Sequence, residues 1–243
     1  MMIGRIEDDF VKIYRIRESF EALERVKNEI GERIYERLRS LLEYRLYGKE
    51  FDRSPLDEKI VLAFSMGSDS TASLKILRWA GFNVVPVMVK LPQIKMHALN
   101  YDVVFVEIPG YMEVMNERIR KKAPICGVCH SMIMEAVEKY ARENKVKIVA
   151  SGDLLSSGLV SIYQKGDITT LNLPAFLAMD KREVIGVIGG KYTLSFGCPL
   201  WKTAAKNVPV LKRFAIQRVL RELRARVIDE EIALTLIYDI LQK

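Results

Sequence analysis

The chain has 243 residues with a formal net charge of +7, and 49% of the residues are hydrophobic while 28% are charged. This balance indicates an ordinary globular protein that is large enough for one α/β core and an additional module. No stretch has the character of a transmembrane span or a signal peptide, so the sequence predicts no membrane association and a cytoplasmic location.

The first predicted elements are helices. Across residues 8–47 the apolar residues recur every three or four positions, which predicts two amphipathic helices with a break near Gly31. We expect these helices to pack against the main domain, and an arm that binds a partner or RNA is the alternative. Residues 48–59 contain Pro55 and several charges, and they are expected to link this N-terminal extension, residues 1–58, to the core.

The core opens with an apolar run over residues 61–64, which is followed by a turn of small residues and by helical spacing over residues 71–77. The turn consists of Ser65, Met66, Gly67, Ser68, Asp69 and Ser70. Backbone N–H groups of such a turn can close on an anion, and the dipole of the following helix favours phosphate. The serine hydroxyls would add hydrogen bonds, and the Asp69 carboxylate could hold Mg²⁺ beside the phosphates. A strand, turn and helix of this kind also occur without any ligand.

Further strands are predicted at residues 83–89, 101–108, 145–151 and 170–178, with helices between them. This alternation predicts an α/β fold with a doubly wound parallel sheet. Ligands of such sheets bind at the carboxyl ends of the strands. The predicted crevice is therefore lined by the turn at residues 65–70, by the chain after Val89, and by Ser151, Gly152 and Asp153.

Two polar residues outside the turn have less distinctive surroundings. Asp153, at a predicted strand end, could orient Mg²⁺ or a substrate group, and a helix N-cap is an equal alternative. His97 lies in a loop without a motif around it, and we interpret it as structural or solvated.

Three cysteines form the second chemical feature. Cys126 and Cys129 have C-x-x-C spacing on a turn expected just before a helix over residues 131–143, and Cys198 follows about seventy residues later. In a reducing compartment this spacing indicates a metal or redox site more often than a disulfide. All three could meet at the mouth of the crevice.

Four interpretations of the cysteines remain open. Three thiolates could hold an iron–sulfur cluster with one iron left open to an external ligand. Zinc would need a fourth ligand, and His130 is badly placed because it adjoins Cys129. A persulfide-forming thiol with a resolving partner would need no metal. The thiols could also be buried and inert.

The positive charge is concentrated near the C-terminal end of the chain. Residues 181–226 contain eleven Lys and Arg against two acids, Glu183 and Glu222. Such a cluster can be the electrostatic footprint of a nucleic acid partner, or it can be a solvated helix face. Residues 203–243 are expected to form a basic helical segment.

The turn resembles the PP-loop, S-G-G-x-D-S, of ATP pyrophosphatases, enzymes that cleave ATP between the α and β phosphates. Five of the six motif positions match, and Met66 replaces a glycine. The resemblance implies that Ser65, Met66, Gly67, Ser68, Asp69 and Ser70 bind ATP with Mg²⁺. A positive φ at Met66 would weaken that binding.

A longer, ordered set of segments over residues 59–202 resembles the catalytic domain of tRNA 4-thiouridine synthetases. The segments are Cys126-x-x-Cys129-His130, residues 148–153, Leu173-Pro174, residues 179–185, Gly190-Lys191-Tyr192 and Cys198-Pro199. More loosely, the chain is similar to the tRNA 2-thiolation enzymes, in which three cysteines hold a [4Fe-4S] cluster. The large N-terminal RNA-binding region of the synthetases has no counterpart in residues 1–58.

The resemblance implies an enzyme that transfers sulfur to tRNA through an adenylated nucleobase and releases AMP and pyrophosphate. The implied catalytic residues are Asp69, Cys126, Cys129, Cys198 and Asp153, and Val89, Gly152 and Lys181 join the turn in binding the nucleotide. The three cysteines would be the ligands of a [4Fe-4S] cluster. The alternatives are an acceptor that is a small cofactor or a carrier protein, and a nucleotide- or cluster-binding module without chemistry. The sulfur donor is unknown, and a homodimer is left open.

Overall fold

A computed structural model describes residues 2–94, 102–189 and 194–243. His97, Tyr101 and the segment Gly190-Lys191-Tyr192, which entered the sequence predictions, lie outside the described residues. Within the described part, the strands are β1 (Lys59–Ala63), β2 (Asn83–Val89), β3 (Val104–Val106), β4 (Ile148–Ser151), β5 (Ile162–Lys165) and β6 (Ile168–Asn172).

The helices flank these strands in the chain. They are α1 (Phe10–Arg25), α2 (Lys27–Ile30), α3 (Glu32–Tyr47), α4 (Ser68–Trp79), α5 (Tyr111–Arg120), α6 (Cys126–Glu143), α7 (Leu173–Phe176), α8 (Lys181–Ile188), α9 (Pro199–Asn207), α10 (Leu211–Arg224) and α11 (Glu230–Gln242).

The strands form one sheet in the order β3-β2-β1-β4-β6-β5. Every neighbouring pair is parallel except β5 and β6, which form an antiparallel hairpin at one edge. The chain winds outward from β1 through β2 and β3, and β4 then pairs on the other side of β1. The carboxyl ends of β1 and β4 therefore form the switch point where α/β sheets bind ligands.

Helices cover both faces of this sheet because successive side chains of each strand point to opposite sides. On one face Leu62 of β1 shares an apolar cluster with Leu74 of α4. On the other face Val61 shares a cluster with Val137 of α6. The structure is thus an α/β fold with a mostly parallel sheet between helical layers, as the sequence predicted.

The N-terminal helices belong to the first of these faces. Ile16 of α1 and Leu41 of α3 are fully buried in the same cluster as Leu62. The predicted pair of helices with a break near Gly31 is confirmed, and the one-turn helix α2 precedes that glycine, whose φ is +81°. These helices therefore form part of the sheet's covering layer.

A further apolar cluster lies beside the sheet and joins the C-terminal helices to α5 and the start of α6. It includes Tyr111, Ile125, Trp201, Ala215 and Ile232. Helices α10 and α11 pack mainly on each other. One apolar cluster contains residues from both sides of residue 58, and another contains residues from both sides of residue 202. The domain limits at these two positions therefore stay predictions.

Several predicted limits of strands and helices were wrong, and one strand was missed. The strand expected at residues 170–178 ends at Asn172, and Leu173–Phe176 is helical because Pro174 at the start of a helix loses no hydrogen bond there. The hairpin strand β5 was missed. The helix expected from residue 131 begins at Cys126, so C-x-x-C forms its first turn.

Among the described residues, none of the helices combines the length and the apolar character that crossing a membrane requires.

Candidate nucleotide and thiol site

The turn at residues 65–70 lies at the switch point, between the end of β1 and the start of α4. Helix α4 begins at Ser68, and Gly67 occupies the N-cap position without a side-chain hydrogen bond to the first turn. The first helical N–H groups have no intrahelical acceptor, and the helix dipole is positive at this end. This geometry suits an anion.

Serine side chains hold the turn in shape. The buried Ser70 hydroxyl accepts from the Ser65 N–H at 3.2 Å and lies 3.2 Å from the Gly67 carbonyl, to which it donates. The Ser65 hydroxyl lies 3.2 Å from that of Ser70 and accepts from the Gly67 N–H at 3.4 Å. Both serines therefore stabilise the turn, and Ser65, unlike Ser70, is exposed to solvent.

Lys181 reaches this turn from α8. Its Nζ lies 2.6 Å from Asp69 Oδ1 and 2.8 Å from Ser68 Oγ, and its side chain is mostly buried. Lys181 is the first residue of α8, where Asp180 and Glu183 form a capping box. The structure thus joins Lys181 and the turn, which lie more than a hundred residues apart.

The start of α8 is itself anchored to the N-terminal helices. Glu183 accepts from Arg45 at 2.5 Å and from Lys12 at 2.9 Å, and Lys12 also contacts Asp180 at 2.6 Å. Burial lowers the pKa of Lys12, but hydrogen bonds and charges from the two carboxylates outweigh it and leave that pKa raised. Arg45 is 1% exposed and also donates to the carbonyls of Leu177 and Gly4. These ion pairs fix α8 and hence Lys181.

Gly152 lets the end of β4 touch the turn. A Cβ atom at this position would lie 2.8 Å from Asp69 C and 2.8 Å from Ser70 N, closer than side chains tolerate. Val89, at the end of β2, is buried and takes part in the sheet core. Of these two predicted nucleotide-binding residues, the structure brings Gly152 against the turn.

Met66 adopts a left-handed conformation, with φ of +59°. The left-handed conformation is sterically strained for residues with a Cβ atom, and it is not strained for glycine. Met66 therefore carries backbone strain at the position where the PP-loop motif has glycine, which is the condition under which the sequence predicted weaker nucleotide binding.

Asp153 is engaged in a local turn. Its Oδ1 accepts from Leu155 N at 2.8 Å and its Oδ2 accepts from Ser156 Oγ at 2.6 Å. No helix begins directly after Asp153, so it is not a helix N-cap. Each carboxylate oxygen accepts one of these bonds and keeps a second lone pair, so a role in orienting Mg²⁺ stays a prediction.

The three cysteines contact the same apolar cluster. Cys126 and Cys129 are one turn apart on α6, Cys198 is the N-cap residue of α9, and all three pack against the C-terminal apolar cluster. Burial is the main cause that raises the pKa of Cys126 and of Cys129, and the charge of Cys198 contributes to both. The thiols are thus near enough to influence one another.

A short hydrogen-bond chain ends at one of them. Gln93 Nε2 donates to the Tyr111 hydroxyl at 2.9 Å, and that hydroxyl lies 3.2 Å from Cys129 Sγ. Tyr111 is 4% exposed, and burial followed by the contact with Cys129 raises its pKa, so it stays protonated. Tyr111 is therefore a donor for a Cys129 thiolate. Neither Gln93 nor Tyr111 has a sequence motif that would have revealed it.

Arg218 of α10 is coupled by its charge to both the turn and the thiols. Burial lowers its pKa, but the charge and hydrogen bond of Glu222, followed by the charges of Cys126 and Asp69, leave that pKa raised. The sequence showed Arg218 only as one of several basic residues. A helical-wheel reading would have marked it, because the buried Ala215 and Val219 lie on the same side of α10.

Within residues 2–94, 102–189 and 194–243, no three His, Cys, Asp or Glu side chains are grouped as a ready metal site. The thiolate chemistry suits iron, but the three sulfurs would have to move to share one cluster. The structure therefore offers no preformed ligand set, and a [4Fe-4S] cluster remains a prediction.

The fold and this site define an α/β protein that has a small-residue anion turn at the sheet's switch point and a thiol group beside it. No protein-family model matches the chain. The chain is 35% identical over 250 residues to the uncharacterized protein MJ1638 of Methanocaldococcus jannaschii, and the alignment covers 96% of the chain and 94% of that protein. The chain belongs to the same family as this archaeal protein.

Proposed function

We propose that the protein is an ATP-dependent sulfurtransferase of the PP-loop ATP pyrophosphatase type, with a nucleotide-binding sheet of the kind that those enzymes share. The observation that carries this proposal is the nearness of the two halves of the site. Arg218 is within electrostatic range of Asp69 on the turn and of Cys126 in the thiol group. An anion turn beside reactive sulfur suits a reaction that activates an acceptor with ATP and then delivers sulfur to it.

The nucleotide would bind at the turn. The N–H groups at the start of α4 and the exposed Ser65 hydroxyl would hold phosphate oxygens, and Lys181 would neutralise part of their charge. Asp69 would hold Mg²⁺ once Lys181 turns from the carboxylate to the phosphates. Mg²⁺ supplies charge compensation for the departing pyrophosphate.

The sulfur chemistry balances in three steps. A carbonyl oxygen of the acceptor attacks the α-phosphorus of ATP, pyrophosphate leaves, and the acceptor carbon carries an adenylate. A persulfide sulfur then attacks that carbon and AMP leaves. A second thiol attacks the sulfur of the carrier cysteine, which frees the thiocarbonyl product and forms a disulfide between two of Cys126, Cys129 and Cys198. A thiol reductant then reduces the disulfide, and an external persulfide donor transfers its outer sulfur to the carrier cysteine and leaves as a thiol.

The sulfur could instead be delivered from an iron–sulfur cluster. In that case Cys126, Cys129 and Cys198 would be its ligands, and the cluster would supply an open iron that binds sulfide. Zinc on the same thiolates is the remaining metal alternative. Because the thiols are not grouped as a ready metal site, the persulfide route requires less rearrangement of the chain.

RNA, and in particular tRNA, is the proposed acceptor. Arg213, Arg221 and Arg224 are exposed on the outer side of α10, and within the described residues they form no ion pair. Unpaired arginines on one helix suit a phosphate backbone, and binding through them would weaken as salt rises. The resemblance to tRNA thiolation enzymes points to the same acceptor.

A small-molecule or carrier-protein acceptor is the second candidate. Helices α1 and α3 are packed into the sheet's covering layer, where the resembled synthetases have an RNA-binding region. With no such region in this part of the chain, a small acceptor would need only the crevice.

The test is release of AMP from ATP, measured with unmodified tRNA, with a carrier protein and with no acceptor. We expect AMP to form with tRNA and a sulfur source, which is a persulfide donor for the persulfide route and sulfide for the cluster route, and we expect Asp69→Ala to abolish it. AMP formation with the carrier protein alone would select the second candidate, and none with any acceptor would overturn both. Anaerobic purification with iron and acid-labile sulfide analysis of the native chain and Cys198→Ala separates a cluster from a persulfide.

A further inference from the structure

The Arg218 guanidinium forms a hydrogen bond through its Nε atom, and its two terminal nitrogens are available to a ligand. Its Nε donates to Glu222 Oε1 at 2.8 Å across one helical turn, and its side chain is half exposed. Among the described residues its two terminal nitrogens make no hydrogen bond. Because a guanidinium presents a planar fork of donors, the free edge can hold a phosphate or carboxylate with two bonds.

The Arg218 guanidinium lies beside the apolar cluster that the thiols contact. Its central carbon lies 6.0 Å from the centre of the Phe196 ring, and Phe196 belongs to the cluster against which Cys126 and Cys198 pack. Besides Glu222, the groups whose charges act on Arg218 are Cys126 and Asp69. An exposed ion pair one helical turn apart contributes little stability, so pairing with Glu222 does not by itself explain this position.

We infer that Arg218 is an anion-binding residue that holds a negatively charged reactant between the turn and Cys126. The identity of that reactant as the phosphate of an adenylated acceptor rests on the proposed function. The presence of an anion site beside Cys126 does not, and it can be tested without nucleotide or acceptor.

The test compares two alkylating reagents at Cys126. Iodoacetate is anionic and iodoacetamide is neutral. The thiolate attacks the CH₂ carbon of either reagent and displaces iodide, so the ratio of the two rates cancels the thiolate fraction and reports local charge. The reduced, desalted full chain is alkylated, and each cysteine is quantified by peptide mass spectrometry. The variants are Arg218→Gln, Arg218→Lys and the control Arg221→Gln, which removes a charge from the outer side of the same helix.

We expect Arg218→Gln to lower the iodoacetate-to-iodoacetamide ratio at Cys126 by about threefold to fivefold, the effect of one nearby unit charge in a solvated cleft. Arg221→Gln should leave the ratio unchanged, and Arg218→Lys should keep most of it. Added salt should lower the native ratio towards that of Arg218→Gln. An unchanged ratio in Arg218→Gln, with its circular dichroism spectrum intact, would overturn the inference.

A second arm separates this inference from the proposed function. AMP is added to the native chain during alkylation with iodoacetate. Protection of Cys126 by AMP that is lost in Arg218→Gln would support both. A charge-dependent ratio without protection by AMP would support the anion site and contradict the nucleotide as its occupant.

Discussion

The two halves of the candidate site are built in different ways. The turn at residues 65–70 is fixed by hydrogen bonds, by the Lys181–Asp69 ion pair and by close contact with Gly152. The three thiols lie at helix starts and are held mainly by apolar packing, with Tyr111 as the hydrogen-bonding partner of Cys129. The anion turn is therefore preorganised by the sheet, whereas the positions of the thiols depend on how the C-terminal helices pack.

The variant expected to lose the most stability removes the ion pair that anchors the start of α8 behind the turn. Arg45→Met removes a buried cation, so the carbonyl groups of Leu177 and Gly4 and one oxygen of Glu183 lose their donor, while Lys12 still pairs with Glu183. Loss of one partner of a buried ion pair typically costs about 3 to 5 kcal/mol, and we expect the lower end because Lys12 remains. Urea unfolding should show this loss. A decrease below about 1 kcal/mol would mean that the Lys12 ion pairs and apolar packing hold α8 without Arg45.

The next variants replace one glycine in each half of the candidate site by alanine. Gly152→Ala places a methyl group 2.8 Å from the backbone of Asp69 and Ser70, so the turn must shift. We expect a stability loss of about 1 to 3 kcal/mol and at least tenfold weaker ATP binding by calorimetry. The control is Gly127→Ala, between the two cysteines of α6, where no atom lies within 4 Å of the new Cβ.

Gly127→Ala should be stabilising, by up to about 1 kcal/mol, because alanine favours the helix. Equal loss of ATP binding in both glycine variants would contradict the division of the site into a rigid turn and a separate thiol group.

A smaller effect concerns the thiol half alone. Tyr111→Phe removes the hydroxyl that donates to Cys129, so the pKa of Cys129 should rise above its already raised value. Alkylation of Cys129 should then require higher pH, with Cys126 in the same chain as the internal reference. A pKa of Cys129 that falls in this variant would show that the thiol is the donor to Tyr111 and that the hydroxyl does not stabilise the thiolate.

The same raised pKa values predict how stability depends on pH. Burial raises the pKa of Cys126 and Cys129, so the folded chain holds these protons more tightly than the unfolded chain does. Their contribution is complete below the ordinary thiol pKa and is lost as pH rises through the raised values. Urea unfolding from neutral to alkaline pH should show this decline, and Cys126→Ser with Cys129→Ser should reduce it.

The smallest effect on stability lies at Met66. Met66→Gly relieves the positive φ but gains chain entropy in the unfolded state, so the net change should stay within about 1 kcal/mol. ATP should bind more tightly to this variant, because the turn regains the glycine of the PP-loop motif. Met66→Ala keeps the strained backbone and serves as the control. Equal ATP affinity of both variants would show that backbone strain does not limit binding.

The sequence predicted those features that depend on local pattern. Strand β2 was predicted at Asn83–Val89 to the residue, because its buried apolar run has the length of a strand covered on both faces. The hairpin strand β5 was missed because only one of its four residues, Ile162, is buried. The sequence feature that could have indicated this hairpin is Gly166, which lies in the turn between β5 and β6 with φ of +64°.

The sequence predicted the turn and the cysteines of the candidate site. It did not predict the residues that contact or support them. Arg218, Tyr111 and Arg45 act through contacts with residues far away in the chain, and no spacing along the sequence encodes such contacts. Lys181 was found only through the resemblance, since a lysine at a helix start is otherwise a common surface residue. Tertiary packing, rather than any motif, decides which of the many basic side chains reaches Asp69.

The burial of α1 and α3 has a practical consequence for dissecting the molecule. A fragment that starts at Lys59 would retain the sheet, the turn and all three cysteines, yet one face of its sheet would lose the side chains of Ile16 and Leu41 that cover it. Such a fragment would expose a broad apolar surface and self-associate. Studies of nucleotide binding or thiol chemistry should therefore keep the first helices attached, even though no atom of theirs is expected to touch a substrate.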